Sequence, residues 1–313
     1  MSPHAPGLDE PVEPPPADES YDVGVIGLGP AGVTAACELV RYGYSVVAIE
    51  KDRIGGLIHH ARAVDNFPGI PPSSPGKVVV DMLWEHMGGF PPKVVNDEVT
   101  GIYHTGVGYG ISFGESSVLV RAIILATGTV PDRLGVPGED RDWVHHIWTD
   151  VDVGEDSLVA VIGGGDVAAD QALSLNERGK QILMMLRSGM PRCNKVLESE
   201  MEMMEDFVIA SGLTVLRFED RDGHAVVYSD GEREQRMVVD AVLVAVGRSP
   251  ALPPLNDQPL SLNKAIYLAS EGLFVAGDIV AERRRQVAIA MGSGLAAAMR
   301  CDEYFRRLRE CEE

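Results

Sequence analysis

The stretch YDVGVIGLGPAGVTAACELVRYGYSVVAIEK, residues Tyr21–Lys51, decides how the rest of the chain is read. "YDVGVIG" has the composition of a short β-branched strand, "PAGVTAACELVRYG" that of a helix closed by Gly43, and "SVVAIEK" that of a second strand, so the three form a βαβ unit. Between the first strand and the helix lies Gly27-Leu28-Gly29-Pro30-Ala31-Gly32. Its glycines allow a tight turn and a close approach of backbone to a pyrophosphate, and the helix N-terminus adds partial positive charge. Glu50, at the end of the second strand, is placed to accept a hydrogen bond from a ribose hydroxyl. GxGxxG alone is a weak signal. A strand before it, a helix after it and an acid about 20 residues further on make it a dinucleotide fingerprint.

The same order of signals returns later. "SLVAVIGGG", the helix "DVAADQALSLNERG" and the strand "KQILMML" form a second βαβ around Gly163-Gly164-Gly165-Asp166-Val167-Ala168. Each βαβ is followed by short polar-apolar alternations broken by Gly. The first runs from about Lys93 to Val120 and includes "TGIYHTGVGYGISFGESSVLVR"; the second is "LTVLRFEDRDGHAVVYSDGEREQRMVVDAVLVAVG". Both read as antiparallel meanders, the first leading into the buried strand "AIILATG". This duplication predicts an α/β protein with two related dinucleotide-binding domains.

At 313 residues the chain is long enough for two domains and a substantial core. Lys plus Arg is 27 against 47 Asp plus Glu, a net charge of −20, which argues against a nucleic-acid or anionic-membrane surface. No apolar run approaches the roughly 18 residues of a membrane span, and Met1–Ser20 lacks the basic and apolar parts of a signal peptide, so a cytoplasmic location is expected. Those first 20 residues hold six prolines and five acidic residues and read as a disordered tail. Cys37, Cys193, Cys301 and Cys311 are scattered without CxxC spacing, which fits free thiols in a reducing compartment. Adjacent histidines, His59-His60 and His145-His146, point different ways from one backbone, and no metal site is expected.

"GLGPAG", Gly55-Gly56, "VDNFPG" (Val64–Gly69), "ILATG" (Ile124–Gly128), "VIGGGD" (Val161–Asp166), and "AGD" with "RQV" near the C-terminus together resemble the low-molecular-weight thioredoxin reductases, from Tyr21 to about Phe305. The resemblance implies two Rossmann-like, three-layer ββα domains, the NAD(P) domain inserted in the FAD domain. On this reading residues 21–131 and 247–313 form the FAD-binding domain and 132–246 the NAD(P)-binding domain. It implies FAD held by Gly27, Gly29, Pro30, Ala31, Gly32, Glu50, Gly56, Asn66, Gly128, Gly277, Asp278, Arg285, Gln286 and Val287. An Asp after a strand suits ribityl hydroxyls, and the start of the last helix suits the flavin's pyrimidine edge. For the second nucleotide it implies Gly163, Gly165, Asp166, Ala168, Arg187 and Arg192. The strand after the second fingerprint ends in "LRSGMPR" rather than in an acid; Arg187 can pair with a 2′-phosphate that a carboxylate would repel, so NADP(H) is favoured over NAD(H). Members of the family usually carry two adjacent arginines there; here the second is Ser188, with Arg192 as its substitute. The family also suggests a homodimer.

One motif of the family is missing. Its CxxC-Asp segment falls on His146-Ile147-Trp148-Thr149-Asp150, so the two cysteines are replaced by His146 and Thr149 while the acid remains as Asp150. Neither replacement forms a disulfide, which removes the family's route to thioredoxin at this site. Cys311, in a C-terminal tail, is a poor substitute, because its glutamate neighbours disfavour the thiolate. The dithiol-free relatives are thioredoxin-reductase-type ferredoxin/flavodoxin–NADP reductases. The expected function is electron transfer from NADPH through FAD to a ferredoxin, a flavodoxin, a quinone or another small molecule. The alternative is a redox-responsive binding protein that does not turn over. His59 and His60, together with His146 and Asp150, are the candidates for tuning the flavin or relaying protons. Arg283–Arg285 with Arg300, Arg306, Arg307 and Arg309 offer a local basic docking patch for an acidic carrier.

Overall fold

The computed structural model describes residues 17, 19–282 and 284–312, and the tail expected over residues 1–20 lies almost wholly outside them. The first strand, β1 (Glu19–Ile26), already pairs at Glu19 and Ser20. Helix α1 (Pro30–Arg41) follows with Pro30 at its first turn and Ala31, Ala35, Ala36 and Cys37 buried, small residues that let it lie close to its neighbours. Next come β2 (Val46–Glu50), α2 (Gly76–Gly89), β3 (Lys93–Asn96), β4 (Val99–His104), β5 (Tyr109–Phe113) and β6 (Ser116–Leu125). The chain then makes β7 (Thr129–Pro131), β8 (Val144–His145), β9 (Leu158–Ile162), α3 (Asp166–Asn176), β10 (Gln181–Leu186) and α4 (Lys195–Glu202). After these come β11 (Phe207–Ser211), β12 (Thr214–Glu219), β13 (Ala225–Ser229), β14 (Glu234–Val238), β15 (Ala241–Val244) and β16 (Arg248–Pro250). It ends with α5 (Leu262–Tyr267), β17 (Leu273–Val275) and α6 (Val287–Glu312).

Two compact units result. The first comprises the described residues up to His59, then Ala63–Val130 and everything from Pro250 on; the second comprises Pro131–Ser249 together with His60–Arg62. The chain passes between them at β7 and β16, which pair as a two-stranded sheet.

In the first unit the sheet order is β3-β2-β1-β6-β5-β4, with β17 also on β6. β1 is parallel to β2 and to β6, and β2 is parallel to β3. Strand β2 is buried at all five positions, as expected of a parallel strand covered on both faces. Two expectations are corrected here. Lys93–Asn96 is a parallel strand rather than the start of the meander. The meander's last strand and "AIILATG" are one strand of ten residues, β6. Its first half pairs antiparallel with β5 and keeps Leu119 and Arg121 outward, while its second half, Ala122–Leu125, is wholly buried between β1 and β17. No Gly or Pro interrupts it, so one strand serves both kinds of sheet.

The second unit repeats the parallel core as β11-β10-β9-β15-β8. Strand β11 went unread in the sequence because its five residues sit between a Met-rich turn and the meander without alternation; Val208 and Ile209 are both exposed. The second meander, β12-β13-β14, is a separate antiparallel sheet here rather than an extension of the parallel one. Val159, Val161, Leu173, Ile182, Met184 and Leu243 fill one side of the parallel sheet against α3, and Trp143, Phe218, Val226 and Val242 fill the other. Among the described residues no helix is long and apolar enough to cross a membrane.

Candidate functional site

In the first unit the β1–α1 turn is closed by a side chain from the end of β2. Glu50 is nearly buried at 8 % exposure, and its carboxylate accepts the Leu28 amide at 2.6 Å through Oε2 and the Asp52 amide at 3.0 Å through Oε1. Burying this carboxylate is tolerated because two N–H donors hold it. Gly27 sits at φ +91°, and a Cβ on Gly32 would stand 1.8 Å from the Gly27 carbonyl oxygen, so neither position admits a side chain. Nothing lies within 4 Å of a Cβ built on Gly29, at the start of α1. A backbone turn that is open at Gly29, beside a helix N-terminus, has the form a pyrophosphate needs, and the residues present fit a dinucleotide.

The other residues expected at that group belong to the same unit. Gly56 approaches Gly29 so closely that its Cβ would lie 3.4 Å from the Gly29 Cα. Asn66 is exposed on the loop that the Val64–Ser74 bridge closes. The Gly128 carbonyl accepts the Ala251 amide at 3.0 Å. Gly277 donates to Ser293 Oγ at 2.7 Å, Asp278 lies in the 3-10 turn Gly277–Ile279, and Arg285 and Gln286 lead into Val287, the first residue of α6. The crossing of α1 and α6 is bare backbone: a Cβ on Gly294 would meet the Ala31 carbonyl oxygen at 2.1 Å. Ser293 and Gly294 were missed as individual residues; the small-residue run of the last helix was the signal.

The second unit contains a turn of the same kind. Gly163 has φ +133° with its would-be Cβ 2.2 Å from the Ala245 carbonyl oxygen, while Gly165 faces open space. Ala168, in the first turn of α3, is fully buried. Beyond β10, Arg187 and Arg192 are exposed on a loop that folds back onto the turn: the Arg192 amide donates to the Gly164 carbonyl at 2.6 Å. Asp166, the first residue of α3, directs its carboxylate at the Asn194 amide, 2.7 Å away. These residues fit a second dinucleotide as well, with two arginines on the loop that folds back onto the turn.

The segment His146–Asp150, expected at the position of the family's dithiol, lies in the second unit, and its side chains have partners there. His146 Nε2 is 3.2 Å from Glu139 Oε1. Glu139 is almost fully buried; burial alone would raise its pKa, but the amides of Leu134 and Gly135, His146 and Arg133 outweigh that and hold it low. Trp148 donates its indole N–H to the His60 carbonyl at 2.9 Å, takes the Arg178 guanidinium over its ring at 4.2 Å, and donates its amide to Gln171. Thr149 Oγ1 is 3.2 Å from His60 Nδ1 and 3.4 Å from Asp150 Oδ1. Burial lowers the pKa of His145, against the opposing pull of Asp150. His146 and Asp150 therefore face different partners and do not form one relay. His59 is turned back in the first unit, its Nε2 against the Ile54 carbonyl at 2.8 Å. A ring nitrogen facing a carbonyl carries the proton.

Sequence reasoning missed the roles of Glu139, Gln171 and Arg62. Arg62 meets Glu177 at 2.9 Å, Asp170 at 3.7 Å and Glu200, three carboxylates brought together from α3, its C-terminal end and α4. No local pattern signals such a cluster. Two sequence-based expectations fail on the length of α6. Cys311 is on its last turn and not in a loose tail, 24 residues or roughly 36 Å from Val287. Arg285 and Arg309 are separated by about the same length of helix, so the two arginine groups form no single patch. Arg306 is bound to Asp302 at 2.8 Å.

Comparison with known proteins matches this architecture. The family model for pyridine nucleotide-disulphide oxidoreductases covers residues 21–294, and the chain belongs to that family. Thioredoxin reductase of Peptoclostridium litorale is 27% identical across 92% of this chain and 98% of that one. The corresponding enzyme of Mycolicibacterium smegmatis is 28% identical across 91% and 96%. The thioredoxin reductase structure from T. acidophilum superposes with a TM-score of 0.81 at 25% identity, covering 92% of this chain and 99% of that one. A bacillithiol disulfide reductase (YpdA) from Staphylococcus aureus has the same fold at 20% identity, with a TM-score of 0.74 over 90% and 98%. The chain is an oxidoreductase of thioredoxin-reductase type, in a family that implies a flavin and a nicotinamide nucleotide.

Proposed function

We propose that this oxidoreductase takes electrons from NADPH and passes them through FAD to an acceptor other than a protein disulfide. One contrast carries the reading. Both glycine turns are open for a dinucleotide, whereas the positions of the family's dithiol hold His146 and Thr149, whose side chains are engaged by Glu139, His60 and Asp150. Bound flavin supplies acceptance of a nicotinamide hydride and release of one or two electrons. The chain's own part is to bind and orient. Glu50 shapes the first turn; with the cofactors bound, the amides at the start of α1 would hold the pyrophosphate, Asp278 would accept from the ribityl chain, and Arg187 with Arg192 would pair with the 2′-phosphate. His60, tied to Thr149 in the second unit, is the residue best placed to hold a proton there, and His59 braces its own turn.

A small-molecule acceptor such as a quinone is favoured over a ferredoxin or flavodoxin. A net charge of −20 repels acidic carriers, and within α6 Arg306 is already paired with Asp302. A cytoplasmic homodimer completes the proposal. The test is an anaerobic titration of the FAD-loaded protein with NADPH and with NADH, following the visible absorption of the oxidised flavin. Bleaching by stoichiometric NADPH, followed by turnover with quinone and none with thioredoxin, is the expected result. A flavin that dithionite reduces but neither nucleotide does would sink this reading and leave a binding protein.

A further inference from the structure

The loop with Arg187 and Arg192 connects the end of β10 to the start of α4, and it is fastened at two places to the glycine turn. The first is the Arg192 amide on the Gly164 carbonyl, 2.6 Å, with Gly165 and Arg192 forming a parallel β-bridge. The second is Asp166: its Oδ1 accepts the Asn194 backbone amide at 2.7 Å and lies 3.3 Å from the Asn194 side-chain nitrogen. Asn194 in turn caps α4, its Oδ1 accepting the amides of Val196 and Leu197. Ser188–Met190, with Gly189 at φ +67°, lies between Arg187 and these fastenings.

Asp166 is an odd residue for its position. A carboxylate at the first turn of a helix is favoured by the helix dipole, yet the same helix end is where a coenzyme pyrophosphate binds, and the two negative charges repel. A residue there only to bind the nucleotide has no reason to be acidic. One of its oxygens, Oδ1, is engaged by Asn194, and a carboxylate accepting a backbone N–H makes a stronger bond than a neutral acceptor does. Resting on the assignment of NADPH above, we infer that Asp166 is a positioning residue for coenzyme selectivity: it pins Asn194 and, through it, holds the Arg192 end of the loop where that guanidinium group meets the 2′-phosphate. It acts on the choice between NADPH and NADH and not on the pyrophosphate itself.

The test measures binding of 2′,5′-ADP and of 5′-AMP to the FAD-loaded protein by calorimetry. For Asp166→Ala the dissociation constant for 2′,5′-ADP rises at least five-fold while that for 5′-AMP stays within two-fold. Asp166→Asn, which keeps a weaker, neutral acceptor oxygen, falls between wild type and Asp166→Ala in that ratio. Asn194→Asp keeps the cap of α4 but sets two carboxylates against each other, and it reproduces the Asp166→Ala loss even if that variant folds poorly. Equal weakening of both ligands, or no change in either, overturns the inference. Wild-type protein binding 2′,5′-ADP no better than 5′-AMP overturns the NADPH assignment instead, which separates the two failures.

Discussion

Asp170, half-buried, and Glu139, buried, are two carboxyls whose surroundings push them in opposite directions. Burial raises the Asp170 pKa to about 6 from its usual 3.8, with Arg62 too distant at 3.7 Å to reverse the effect. Its proton is held more tightly in the folded state, so this group lowers stability as pH rises from about 4 to 6, at a cost of roughly 2–3 kcal/mol above that window. Asp170→Asn is therefore expected to raise the melting temperature by a few degrees at pH 8 and by nothing below about pH 4, measured by calorimetry across that range. Glu139 behaves conversely. Its pKa is held low, so its stabilisation is present above the usual carboxylate range and is lost in acid. Glu139→Ala leaves the Leu134 and Gly135 amides without their acceptor and costs about 1–3 kcal/mol at neutral pH. His146→Ala removes one longer contact and costs less; urea titration of the two variants ranks them.

Among the elements, the two strand–turn–helix junctions are the least tolerant. Adding one methyl group at Gly32 drives it into the Gly27 carbonyl, and at Gly163 into the Ala245 carbonyl with a backbone at φ +133°. Each junction belongs to its own unit, so the effects separate. Gly32→Ala is expected to purify without the flavin's visible absorption, whereas Gly163→Ala keeps the flavin but is not bleached by NADPH. A Gly163→Ala protein that bleaches like wild type contradicts the assignment of that turn. These junctions were readable because the constraint is local: a few residues, one turn and the next strand. The β6 strand was misread as two pieces for the opposite reason. Its halves have different periodicities, one alternating and one buried throughout, and only the sheet around them shows that they are continuous.

For the molecule as a whole, charge and the missing dithiol set the expectations. With a net charge of −20, turnover with an acidic flavodoxin should speed up as salt screens the repulsion, while turnover with a neutral quinone should be nearly flat in salt; stopped-flow rates between about 10 and 200 mM NaCl test both. The sequence by itself determined the class: two glycine fingerprints in βαβ context, with Glu50 closing the first unit's second strand, mark the family that the comparisons show. These rest on backbone needs and side-chain chemistry that neighbours in the chain already specify. Only the tertiary structure decided what His146, Thr149 and Trp148 do, that Asp166 faces Asn194, that Arg62 gathers three carboxylates, and that the arginines and Cys311 of α6 stand far from Val287. Contacts between residues tens of positions apart, and distances along a helix 26 residues long, are set by packing, which no local pattern of residues encodes.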